Sequence, residues 1–207
     1  MKHLRQYIRQ ILLTEAAKGP ADLPDNIAIV INPVRGKEVE IYYALAGNAF
    51  LRPGADDTVY GSISIYDIQS DPDYGKCGGA MMVGRSYAAS GWGPLLYDVA
   101  IEWATQNAGG LIADRTTVSD DAESVWSYYM QNRSDVTAHQ LDDPFNLLTP
   151  EDEDNCDQEV AGGGHLMYGG DKDFGSEWAK SALSKRYTKP PTTMDALKKA
   201  GKLEVLE

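Results

Sequence analysis

The stretch Met81-Met82-Val83-Gly84-Arg85-Ser86-Tyr87-Ala88-Ala89-Ser90-Gly91-Trp92-Gly93-Pro94-Leu95-Leu96 carries the most legible chemistry in the chain. Met81, Val83 and Tyr87 fall on one face of a run with a period of two. After the glycines, Leu95, Leu96, Val99, Ala100, Trp103 and Ala104 recur at helical spacing, with Pro94 where a first-turn proline belongs. A strand that passes through glycines into a helix presents bare N–H groups at the helix start, and the helix dipole adds positive potential there. Glycine lets an anion approach the backbone without a Cβ in the way. The chemistry on offer is the binding of linked phosphates by main chain, with no basic side chain required.

Two other glycine-turn classes fail on residue type. A P-loop needs Lys and then Ser or Thr after its last glycine, and Gly93 is followed by Pro94 and Leu95. A dinucleotide-binding turn needs a third glycine three residues after the second, where Leu96 stands.

The spacing of Val83, Gly91, Gly93 and Leu96 resembles the coenzyme A signature of the GNAT N-acetyltransferases. In that signature a strand valine precedes Gly-x-Gly by eight residues, and a leucine follows three residues past the second glycine. Residues 111–118 stand where the family has its next strand, and Ser119 and Ala122 where it has an Asn-x-x-Ala helix start. The resemblance covers residues 58–142. It implies transfer of an acetyl group from acetyl-CoA to an amine of a small molecule or a protein. It also implies a gap between two splayed central strands that takes the pantetheine arm. Met82 and Val83 would meet that arm, while Ser90, Gly91, Trp92 and Gly93, with Leu95 at the helix start, would hold the phosphates.

The chain departs from the family at two positions. Ala88 stands where the family usually has Arg or Gln, so one phosphate contact is missing, and Arg85 is the candidate to supply it. Trp126 stands where a tyrosine often acts as general acid toward the coenzyme sulfur. Tyr129, one turn on, and Tyr128 beside it are the candidates to replace it; both also read as core or surface aromatics. An amine must lose a proton before it attacks, so a base is needed. Asp114 is the candidate base, although it reads first as a helix cap or an ion-pair partner of Arg115. His139 and His165 are weaker candidates. Three scattered histidines do not suggest a metal site, and Cys77 has no histidine near it in sequence to make a thiolate nucleophile. The alternative is a GNAT-shaped binding or structural protein with coenzyme binding weakened or gone. Ala88 and Trp126 favour that alternative; the intact Gly91-Trp92-Gly93 turn does not.

Around these residues the pattern predicts a mixed α/β (α+β) fold, and the resemblance implies its GNAT form, a central, mostly antiparallel twisted sheet with splayed strands flanked by helices. Leu4, Ile8, Ile11 and Leu12 make a helical stripe that Gly19 and Pro20 end. Ile27, Ile29 and Ile31, then Val39, Ile41, Tyr43 and Leu45, predict a hairpin. Further strands are expected over 59–68, 79–87, 111–118 and 135–141. Helices are expected after Pro94, after Ser119 (with Asp120 and Glu123 as a capping box), and over 194–200. The expected organisation is a GNAT-like domain with its N-terminal helix over 1–142, and an acidic, glycine-rich extension and tail over 143–207 packed on it. Residues 143–178 read as a long loop or lid.

The net charge of −12 disfavours nucleic acid and anionic lipid as partners. Charge is uneven: Asp142 to Glu159 is strongly acidic, and Lys185, Arg186, Lys189, Lys198, Lys199 and Lys202 make the tail basic. Both runs read first as solvated surface. The acidic run could also draw a basic peptide or an amine substrate. A disulfide between Cys77 and Cys156 is open but not implied. No apolar run approaches a membrane span, and the basic, polar-interrupted start is not a signal peptide, so the expected location is cytoplasmic. The opening Met1 to Arg9 and the ending Tyr187 to Leu203 resemble GNAT-like proteins of tailed bacteriophages, which implies the host cytoplasm or the virion. A protein partner or a second copy of the chain stays open.

Overall fold

The structure, a computed structural model, describes residues 17–34, 37–47, 60–69, 71–115, 118–142, 144, 147–158 and 179–206. The helix expected at Leu4 to Leu13, His165 and the glycines from Gly162 to Gly170 lie outside the described residues.

The fold is mixed α/β. Its strands are β1 (Ile27–Pro33), β2 (Glu38–Leu45), β3 (Gly61–Asp67), β4 (Met81–Ala88), β5 (Leu111–Ile112), β6 (Thr137–Gln140), β7 (Lys185–Thr188) and β8 (Leu203–Val205). They form one mixed sheet in the order β6-β7-β5-β4-β3-β2-β1-β8. Among the described residues three α-helices are α1 (Gly93–Asn107), α2 (Asp120–Asn132) and α3 (Thr192–Lys199). None is long and apolar enough to cross a membrane. The chain divides into two compact units that interleave along the sequence: one takes 1–65, 85–100 and 191–207, the other 66–84 and 101–190.

In the first unit β1 and β2 pair antiparallel with Ile29 opposite Tyr43 and Ile31 opposite Ile41. The hairpin follows the expected alternation, but both of its faces are covered. Val30, Tyr42 and Ala44 form their own apolar cluster beneath Leu206. Leu206 follows β8, which runs parallel to β1 at the sheet edge with Leu203 opposite Ile29. β8 has only three residues with Glu204 in the middle, too short and too polar to announce a strand. Ahead of it α3 buries Thr193, Met194 and Leu197, which fall on one helical face.

In the second unit β4 and β5 are parallel, and the pairing is short: Met81 opposite Leu111 and Met82 opposite Ile112. The strand expected over 111–118 is these two residues. β5 continues the sheet to β7, where Leu111 faces Tyr187, and β7 pairs antiparallel with β6. The basic run at 185–189, expected as solvated surface, is instead built into this unit: Tyr187 and Lys189 are buried, and Lys185 and Arg186 are half-buried. Cys77 and Cys156 are joined as a disulfide inside an apolar cluster with Ile68, Ala80, Met82, Ile112 and Leu141. Helix α2 starts on Ser119, whose Oγ accepts the Ala122 N–H at 3.3 Å. The expected capping box of Asp120 with Glu123 is therefore corrected. Asp120, Asp121 and Glu123 instead place negative charge in the first turn, where the helix dipole favours it.

Candidate functional site

Within β4 the character of the residues changes. Met81, Met82 and Val83 are buried, whereas Gly84, Arg85, Ser86 and Tyr87 are exposed. β5 has ended by then, since its last paired residue is Ile112 opposite Met82. Ser86 Oγ lies 3.0 Å from the Tyr97 hydroxyl of α1, so Ser86 faces the helix. Arg85 and Tyr87, one residue to either side, alternate onto the opposite face, and Tyr87 is 65% exposed. The ring of Tyr66 lies over Gly84, where a Cβ would come within 2.0 Å of it.

The turn into α1 is tightly specified. Gly91 has φ 83°, a left-handed conformation that costs a side-chain-bearing residue about 1–2 kcal/mol. Its carbonyl accepts the Lys18 N–H at 2.8 Å. The Trp92 N–H donates to the Ala89 carbonyl at 3.0 Å. The Trp92 carbonyl accepts the Tyr43 hydroxyl at 2.7 Å. Burial, and then the charge of Asp98, push the Tyr43 hydroxyl far above its ordinary range, so it stays a donor. The Trp92 ring is buried, stacked on Tyr60 at 4.4 Å and edge-on to Tyr43 at 5.5 Å.

These contacts revise the expected phosphate residues. Trp92 offers neither side chain nor N–H: the ring belongs to the core and the amide is taken within the turn. Leu95 is buried, so only its backbone can serve. Pro94 has no N–H. The helix start therefore offers the amides of Gly93 and Leu95, with exposed Ser90 and half-buried Gly91 beside them. An added Cβ on Gly93 would meet Ala88 Cβ at an ordinary 3.6 Å, so Gly93 is not required by local crowding.

The candidate acid and base residues lie in the second unit. Trp126 is buried and stacked on Tyr187 at 4.9 Å. The Tyr187 hydroxyl donates to the Ala182 carbonyl at 2.7 Å, and burial raises it well above its ordinary acidity range. Tyr129 is 1% exposed, with the Arg133 guanidinium 5.1 Å from its ring centroid. Tyr128 is half-buried, edge-on to Tyr129 at 6.0 Å. Of the two phenols, Tyr128 is the one that solvent or a ligand can reach. Asp114 is half-buried just past β5 and accepts a hydrogen bond from Gln158 Nε2 at 3.0 Å. Gln158 is a partner that sequence reasoning missed, because 44 residues and a disulfide loop separate the two in the chain. His139 Nε2 lies 2.9 Å from Thr188 Oγ1, and burial followed by the charge of Arg186 lowers its pKa, as befits a structural histidine. Cys77 is in the disulfide and is no nucleophile. Among the described residues no three His, Cys, Asp or Glu side chains gather to hold a metal.

The architecture and this corner define a mixed α/β protein in which a parallel strand pair is two residues long and the longer strand turns through glycine into a helix. No protein-family model, no curated protein and no solved structure matches the chain.

Proposed function

We propose that the protein is an acetyl-CoA-dependent N-acetyltransferase of the GNAT type, acting on an amine. The observation that carries this reading is β4. It leaves β5 after one two-residue parallel step, continues as an exposed strand, and enters α1 through a left-handed glycine and an amide-bearing helix start. The signature at Val83, Gly91, Gly93 and Leu96 implies a strand of this kind running into such a turn, and that agreement supports the reading. The turn suits a pyrophosphate: Gly91 needs its left-handed geometry, the Gly93 and Leu95 amides are at a helix start, and the turn is half-exposed. Met82 and Val83 on β4 are the residues for the pantetheine arm, and exposed Arg85 is the candidate cation where Ala88 supplies none.

The chemistry is direct transfer. The amine nitrogen attacks the thioester carbonyl carbon, a C–N bond forms, the C–S bond breaks, and the coenzyme leaves as a thiolate. Strand amides polarise the carbonyl oxygen. Asp114 accepts the proton the amine loses, and Tyr128 returns one to the sulfur. Asp114 is held by Gln158, so its orientation is fixed by the segment that carries Cys156.

One observation favours a second reading, a coenzyme-binding protein without transferase activity. Trp126, at the position of the family's acid, is packed on Tyr187 in the core. Two measurements separate the readings. Acetyl-CoA at one hundred times its dissociation constant should add about 2.7 kcal/mol of stability, about 5–10 °C in melting temperature for a chain this size. A transferase also releases coenzyme thiol in the presence of a panel of primary amines, whereas a binding protein shifts its melt without release. No shift at millimolar acetyl-CoA contradicts the coenzyme site itself.

A further inference from the structure

We infer that Tyr43 is a positioning residue for the coenzyme pyrophosphate, acting with the backbone N–H of Lys18 to aim the glycine turn. This rests on the acetyl-CoA reading above. In a trans peptide the C=O and the following N–H point in opposite directions, and no peptide bond among the described residues is cis. The Trp92 carbonyl points at the buried Tyr43 hydroxyl, so the Gly93 N–H points away from it. The Gly91 carbonyl is held by Lys18, so the Trp92 N–H turns back onto Ala89. Two successive peptide planes are thereby locked, each through its oxygen, and the Gly93 N–H, at the start of α1, is turned away from Tyr43.

The alternative peptide orientation would point the Trp92 carbonyl outward and oppose an anion. Tyr43 prevents that flip with a hydroxyl from β2. The rings of Tyr43 and Tyr60 fix Trp92 from the side-chain end. The turn is thus pre-set before any ligand arrives, which lowers the ordering cost of binding.

The test uses the full chain and two probes: acetyl-CoA, and acetylpantetheine, which has the thioester arm and no pyrophosphate. Tyr43→Phe keeps the ring and removes the hydroxyl. It should weaken acetyl-CoA binding about tenfold and leave the KM for acetylpantetheine unchanged. Lys18→Pro, which deletes the second N–H anchor, should weaken acetyl-CoA binding in the same selective way, whereas Lys18→Ala, which removes the side chain and keeps the N–H, should not. If Tyr43→Phe fails to fold, the Lys18 pair decides. Equal losses with both probes, or unchanged acetyl-CoA binding in Tyr43→Phe and Lys18→Pro, overturn the inference. Failure of the unaltered protein to bind acetyl-CoA at millimolar concentration overturns the coenzyme reading instead.

Discussion

The ammonium of Lys189 lies against the carboxylate of Glu102, and neither side chain is exposed to solvent. Asp135, 3.5 Å from the same ammonium, extends the pair toward the surface and is itself gripped by Arg133 at 2.8 Å. Glu102 comes from α1 and Lys189 follows β7, so the pair ties a helix to the end of a strand within one unit.

Removing one partner of a buried pair strands the other, which costs about 3–5 kcal/mol, whereas replacing both by apolar groups of like volume is close to neutral. Lys189→Met should therefore destabilise the protein by that amount in urea unfolding. The double change Lys189→Met, Glu102→Leu should recover most of it. Two single changes that each cost less than about 1 kcal/mol would show that the pair is solvated.

Asp135 gives a pH signature. The hydrogen bond from Arg133 is the largest influence and lowers its pKa to about 2, partly opposed by burial and helped by the charges of Arg133 and Lys189. A carboxylate with a folded pKa below its unfolded value of 3.8 stabilises the fold above about pH 4. That contribution fades as the pH falls toward 2. With the side chain 38% exposed, screening limits it to about 1 kcal/mol or less. Urea midpoints of the wild type and Asp135→Asn should differ at pH 7 and converge between pH 4 and pH 2.

The two phenols of α2 should separate function from stability. Tyr128→Phe should slow thiol release about a hundredfold, the lower range for loss of a general acid, with acetyl-CoA affinity unchanged. Tyr129→Phe should leave turnover alone, because its ring is in the core under Arg133. The opposite pattern of rates would transfer the role to Tyr129.

The disulfide closes a loop with a sequence separation of 79 residues. Cross-linking a loop of that size stabilises by about 2–4 kcal/mol in typical cases. Cys156→Ser should lose that amount, and thiol reductant should bring the wild type to the same midpoint. It should also raise the KM for the amine, because Gln158, which orients Asp114, follows Cys156 by two residues.

What could be read from residues alone was what repeats or changes period locally. The hairpin of β1 and β2, the passage from β4 through Gly91 into α1, and the Ser119 helix start all declare themselves in short continuous stretches of sequence. What escaped was set by distant partners. β7 is a run of Lys, Arg, Tyr and Thr whose strand character comes from Leu111 on one side and Ala138 on the other. Lys189 looked like surface charge because Glu102 lies 87 residues away. Trp92 looked like part of a ligand cradle, since nothing in its neighbourhood reveals that Tyr43 and Tyr60 enclose it. The early parting of β5 from β4 follows from a strand only two residues long, where the local apolar pattern suggested more.

The proposal that the turn at Gly91 holds phosphates is tested most directly by calorimetric titration of acetyl-CoA into Gly91→Asn and Gly91→Asp. Asparagine and aspartate have the same shape and both tolerate left-handed backbone, so the pair isolates a single negative charge at the turn. Binding retained in Gly91→Asn and lost in Gly91→Asp is the predicted result. Equal affinity in the two variants would place the phosphates elsewhere and contradict the account.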